Sequence, residues 1–180
     1  MNLLVKNVVD VDEPRKDNAD KISPLDKEEH PRTANEYKDD WAFIKEDKLR
    51  QNIAYALQYL EWQIKPYNKY RMYLTVEAHH FKGMILNIAS IMEAATTYMV
   101  NEMAKKSGSA GAFRSFGEHV RFAVDAGILT PVLARTINEL RRVRNNVHLY
   151  GIIEREYELY TIEKVNDYLR ALDDFRVHLS

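Results

Sequence analysis

From Leu140 to Tyr150 the chain reads Leu-Arg-Arg-Val-Arg-Asn-Asn-Val-His-Leu-Tyr, with Arg141, Arg142 and Arg144 shortly before His148. Arginine offers a planar fork that matches phosphate oxygens. A histidine beside fixed positive charge is driven toward its neutral form, the form that a general base needs. Together these residue types suit phosphodiester chemistry on RNA.

On a helical wheel with Leu140 at zero, Leu133, Ile137 and Val147 fall within about 60°, and Arg144 falls near about 40°, inside the apolar face. His148 lies at about 80°, Arg141 at about 100° and Asn145 at about 140°, so these four form one stripe beside the core edge, while Arg142 at about 200° points away. A guanidinium against a core boundary requires an anion or a hydrogen-bond network, because an unpaired buried charge costs several kcal/mol. A phosphate would serve. A purely structural cluster would serve equally: Arg144 pairs with a carboxylate of a neighbouring helix, such as Glu93 or Asp173, and His148 merely ends its helix against the dipole.

The elements that must hold this stripe are helical. Thr130-Pro131 reads as an N-cap with proline at the first helical position, opening a helix through Leu133, Ile137, Leu140, Val143 and Val147, with Gly151 as a stop. Earlier, Leu49, Ile53, Leu57, Leu60 and Ile64 recur at helical spacing in a segment expected to run from Ala34 to about Lys65, where Pro66 should end it. A second long helix is expected from Asn68 to Lys106, carrying Phe81, Met84, Ile85, Ile88, Ile91, Met92, Ala95 and Met99 as a broad apolar stripe. Ser107-Gly108-Ser109-Ala110-Gly111 is a loop, followed by a short helix with Phe113, Phe116, Val120 and Phe122, and a turn at Gly127. Ile152 to Tyr160 is ambiguous. Thr161 caps a last helix, with Val165, Tyr168, Leu169, Leu172 and Phe175 inward. The expected architecture is an all-α bundle of four to five helices, with no strand pattern and no repeat.

Residues 10 to 35 mix charges with Pro14, Pro24 and Pro31 and hold almost no aromatic or β-branched content, the composition of a flexible arm. The apolar tip Leu3-Leu4-Val5 and Val8-Val9 could dock on a partner strand. Residues 1–35 are therefore read as an arm, and 36–180 as the helical domain.

Composition excludes several classes. The 180 residues hold 26 basic against 27 acidic side chains, so the whole is no polycation. Between residues 101 and 150, however, eight bases face four acids, and that stretch is locally basic. With no cysteine, disulfide frameworks, thiolate metal sites and cysteine nucleophiles are excluded together. The opening residues turn acidic too soon for a signal peptide, no apolar run approaches membrane-spanning length, and a cytoplasmic protein is expected.

Other motifs carry less. Lys105-Lys106-Ser107-Gly108-Ser109-Ala110-Gly111-Ala112 superficially suggests a phosphate-cradling loop but has no Gly-Lys-Ser/Thr and no preceding strand. His79-His80 beside Glu77 cannot form a helical zinc pair, since neighbours on a helix diverge by about 100°. His30, His119 and His178 stand alone and receive no role. The tryptophans Trp41 and Trp62 and most tyrosines fall at packing positions.

The helix order and the Arg/His cluster resemble the HEPN (higher eukaryotes and prokaryotes nucleotide-binding) domains, which carry an Arg, four to six intervening residues and a His near the start of a loop after a late helix. Arg141, with six residues between, and Arg142, with five, both satisfy that spacing to His148. The polar residue that commonly follows the family's Arg is matched instead by Arg144-Asn145, with three residues before the His. The resemblance spans roughly residues 36 to 180.

The resemblance implies an endoribonuclease that works without metal or other cofactor, the RNA 2′-hydroxyl attacking the adjacent phosphate. His148 would be general base or acid, Arg144 or Arg141 would stabilise the developing charge, and Asn145 would orient His148 or the phosphate. It further implies a homodimer whose two motifs face one another across a two-fold axis. His148-Leu149-Tyr150 resembles the His-x-Tyr ending of HEPN toxins paired with nucleotidyltransferase antitoxins, which makes Tyr150 a candidate modification site beside its reading as a packed aromatic. A toxin or antiviral defence component follows as the expected role. The alternatives are a non-catalytic HEPN-like module that binds a nucleotide or a protein, and a helical scaffold without a ligand.

Overall fold

The computed structural model describes residues 32–108, 115–145 and 156–180, and every regular element among them is an α-helix. They are α1 (Ala34–Asp40), α2 (Asp47–Lys69), α3 (Leu74–Lys106), α4 (Phe116–Asp125), α5 (Pro131–Asn145), α6 (Glu156–Leu159) and α7 (Ile162–Leu179). Five of these reach ten residues, so the expected all-α bundle is what the chain forms.

The spine is α3, which packs against α2, α4, α5, α6 and α7, while α1 lies on α2. Its apolar stripe explains that position. Phe81, Met84, Ile85, Ile88, Ile91, Met92 and Ala95 are all buried, and Met99 is partly buried against the same core. An 18-residue window of α3 has a mean hydropathy of 1.2, so by length and composition it could span a membrane, contrary to the sequence expectation; half of that window is buried in the bundle. On α7, Val165, Tyr168, Leu169, Leu172 and Phe175 are buried as their spacing predicts. Polar ties fix α3 on α2: Asn87 donates to the Ala56 carbonyl at 2.7 Å, and His80 Nε2 meets the Gln63 carbonyl at 2.7 Å. His80 is thus a packing histidine, stacked on Tyr67, and His79 is exposed.

Three boundaries differ from the sequence expectation. The segment expected as one helix from Ala34 to Lys65 is broken at residues 41–46. Trp41 and Ile44 are buried there, Trp41 packs 6.3 Å from Phe175 on α7, and the Lys45 amide donates to Tyr98 on α3. Burying that indole against a distant helix outweighs local helix propensity. Pro66 does not end α2, which runs on to Lys69. The ring removes one donor, but the residue whose carbonyl loses its partner, Trp62, is exposed. Beyond the proline, Tyr67 is buried against Phe81 at 4.9 Å between ring centres, and the Tyr70 amide closes the last turn on the Pro66 carbonyl at 2.8 Å. As a result α3 starts at Leu74 rather than near Asn68. Finally, Arg32 to Asn35, placed in the flexible arm, belong to the folded part. Thr33 and Glu36 form a capping box, and the Arg32 amide donates to Glu61 at 2.9 Å.

Candidate functional site

Local chemistry sets the start of α5. Gly127 takes φ of 72°, a left-handed conformation suited to glycine, and closes the turn after α4. Thr130 Oγ1 accepts from the Leu133 amide at 3.2 Å with Pro131 in the first helical position, the cap that the sequence predicts. Leu133, Ala134, Ile137 and Leu140 are buried, and the Tyr168 hydroxyl of α7 donates to Glu139 at 2.9 Å. The helix therefore enters its last turn held on one side by apolar contacts and on another by α7.

In that last turn Arg144 forms an ion pair with Glu93 of α3. This is the internal carboxylate that a purely structural cluster requires, and Asp173, the other candidate, pairs instead with Arg176. The pair is incompletely covered, for the Arg144 side chain remains 37 % exposed and that of Glu93 27 %. Three residues earlier, Arg141 lies over the first turn of α4. A Cβ added at Gly117 would stand 3.1 Å from Arg141 Nη1, and the buried Nε of Arg141 has no hydrogen-bond partner. Arg142 and Asn145 are exposed. His148 and Tyr150 lie outside the described residues, as do Val147 and Gly151.

The structure thus brings Arg141 and Arg144 together with Glu93, Phe116 and Leu140 around one cleft, whose walls close until no room is left for a solvent molecule. The cleft therefore has no room for an anion, and only its rim is open to one. Among the described residues, Arg141, Arg142 and Arg144 stand at the end of α5 with Glu93 paired to Arg144 and Glu118 in the first turn of α4. The N-terminal turn of α4 lies beneath Arg141, and there Glu118 offsets the positive end of the helix dipole. The Ser115–Glu118 capping box satisfies the first amides of α4.

His119, on the same helix, has its pKa lowered because burial penalises the imidazolium, with Glu118 opposing the shift. Its ring packs edge-on to Phe116, 6.4 Å between centres. Among the described residues no group of three or more His, Cys, Asp or Glu side chains could hold a metal ion.

Sequence reasoning missed the contribution of α4. Gly117 carries no functional group, and the only signal was a serine three residues before a glutamate, which marks a helix start but not what packs on it. Comparisons of the chain with protein-family models, with curated proteins and with solved structures find no match.

Proposed function

We propose that this chain is a HEPN-like endoribonuclease whose reacting groups gather at the C-terminal end of α5. The observation that carries the reading is the convergence of Arg141 and Arg144 at one rim. Arg144 is fixed by Glu93 yet still more than a third open, and Arg141 is wedged over Gly117 with an unpartnered Nε. A guanidinium whose position is already set loses little freedom when it meets a phosphate, which favours charge stabilisation over mere attraction.

In the proposed reaction the RNA 2′-hydroxyl oxygen attacks the adjacent phosphorus as a base removes its proton. The bond to the 5′ oxygen breaks, and an acid protonates the leaving oxygen. The products are a cyclic phosphate and a 5′-hydroxyl, and no oxidant or metal enters the balance. His148 supplies one proton transfer, and the His148 of a second copy across a two-fold axis supplies the other. Arg141 and Arg144 offset the charge developing on the phosphate, and Asn145, exposed at the helix end, orients the substrate.

The test is incubation of the purified chain with RNA in excess chelator, followed by analysis of the new ends. Cyclic phosphates and 5′-hydroxyls support the reading, and intact RNA overturns it.

One observation favours a second reading. Because Glu93 already neutralises Arg144 and the cleft is closed, the same rim suits a module that binds a nucleotide without turning it over. Saturable binding of nucleotide or RNA with no cleavage distinguishes that case.

A further inference from the structure

We propose that the outer face of α2 is a stacking platform for single-stranded nucleic acid, distinct from the end of α5. Tyr55, Tyr59 and Trp62 follow one another at steps of four and three residues, so their side chains share an arc of about 60° on the helix. Large aromatic rings at such spacing usually belong to a core. These do not: they are 55 %, 54 % and 43 % exposed, while the opposite face of α2 buries Ile53, Leu57, Leu60 and Ile64. Tyr59 and Trp62 lie nearly parallel, 5.8 Å between ring centres and 12° between planes. Two exposed rings already stacked on one another offer a flat face on which a base can continue the stack.

The charge around the stripe is one-sided. From Gln51 to Val76 the sole acid is Glu61, and it is buried, accepting from the Tyr37 hydroxyl at 2.6 Å and the Arg32 amide at 2.9 Å. Lys65, which also pairs with Glu61 at 3.7 Å, and Lys69 follow the stripe to the end of α2, and in the turn beyond it Arg71 stands 5.6 Å above the ring of exposed Tyr73. Exposed rings on a segment whose one acid is buried, continued by basic side chains, complement a polyanion that carries flat bases. Phenols and an indole also suit a lipid headgroup region; the nearly parallel pair of exposed rings favours flat bases, and vesicles form a separate arm of the test. A second copy of this chain would bring the same cations to the face. The inference stands on α2 and the turn that follows it and does not depend on cleavage at α5.

The experiment uses the full chain and a thymidylate dodecamer, which has no 2′-hydroxyl and cannot be cleaved by the reaction proposed above. Of the two tryptophans Trp41 is 2 % exposed, so quenching by stacking reports on Trp62. Saturable quenching at low salt, reversed by added salt, is expected. In a parallel titration with labelled oligomer, Tyr59→Ala and Trp62→Ala should each weaken binding on the order of tenfold or more. Because these rings are exposed, thermal unfolding of the variants should match that of the parent. Absence of quenching, or binding that ignores both substitutions, overturns the proposal. So does quenching by phosphatidylserine vesicles with none by the oligomer, which assigns the face to a lipid surface. Self-association abolished by Tyr59→Ala, again without oligomer binding, assigns it to a second copy.

Discussion

Arg144 of α5 and Glu93 of α3 form an ion pair at the edge of the core, joining the candidate site to the spine of the bundle. Half-exposed pairs of this kind contribute about 0.2–1 kcal/mol, so the bond positions more than it stabilises. A double-mutant cycle with Arg144→Gln and Glu93→Gln should give a coupling of roughly 0.5 kcal/mol in denaturant unfolding. RNA cleavage should fall much further, by about a hundredfold for Arg144→Gln. Equal losses of cleavage and of stability would reduce the pair to a structural role.

Gly117 tests the role of Arg141 without altering its charge. An added methyl crowds the tip of a flexible side chain, at 3.1 Å, and meets Ser115 Oγ at an ordinary 3.9 Å, while alanine favours helix over glycine by up to about 1 kcal/mol. Gly117→Ala should therefore leave the melting temperature unchanged or raised, while displacing the guanidinium and slowing cleavage. Circular dichroism and a cleavage assay on one preparation separate the two effects.

Glu61 holds the start of the fold together. Its buried carboxylate accepts from Tyr37 and from the Arg32 amide, and Lys65 stands 3.7 Å away. Glu61→Ala strands these donors and should cost about 2–4 kcal/mol, against roughly 1 kcal/mol for Tyr37→Phe, which removes only one hydrogen bond. Urea unfolding at neutral pH measures both, and similar values for the two would contradict this hierarchy.

Two tyrosines make the fold sensitive to alkali. Burial, and then hydrogen bonding to Glu61, raises the pKa of Tyr37 well above the ordinary phenol value; burial, and then Glu139, does the same for Tyr168. In the unfolded chain both lose their protons near pH 10 while the folded chain keeps them. The unfolded state then binds fewer protons, so stability is intact below about pH 10 and falls as the pH rises beyond it. Melting temperature followed from pH 8 to 11 should show this decline, and Tyr37→Phe with Tyr168→Phe should flatten it. The same slope in both proteins would assign it to other groups.

The helical class was legible because the apolar spacing of α3, α5 and α7 needs no long-range information, and Thr130-Pro131 and Thr161 mark the starts of α5 and α7 with local chemistry. What was not legible depended on distant partners. The break after Asp40 follows from Trp41 reaching Phe175, and the continuation through Pro66 follows from Tyr67 packing on Phe81. At the site, the wheel placed Arg144 inside the apolar face and left its partner open between a phosphate and a carboxylate such as Glu93 or Asp173, of which the structure shows Glu93. It could not foresee Arg141 lying over Gly117, since a glycine in a first turn carries no chemical signal. Trp62 was read as a packing residue because the spacing of an exposed stripe is the same as that of a buried one.

The central claim is that residues at the end of α5 cleave RNA without metal, and the most direct measurement is the single-turnover rate of cleavage in excess chelator for the parent chain, Arg141→Gln and His148→Ala. The expected result is cleavage by the parent with cyclic-phosphate ends, a rate lowered about a hundredfold or more in Arg141→Gln, and none above background in His148→Ala. Undiminished cleavage by His148→Ala, or dependence of the parent on an added divalent ion, would contradict it.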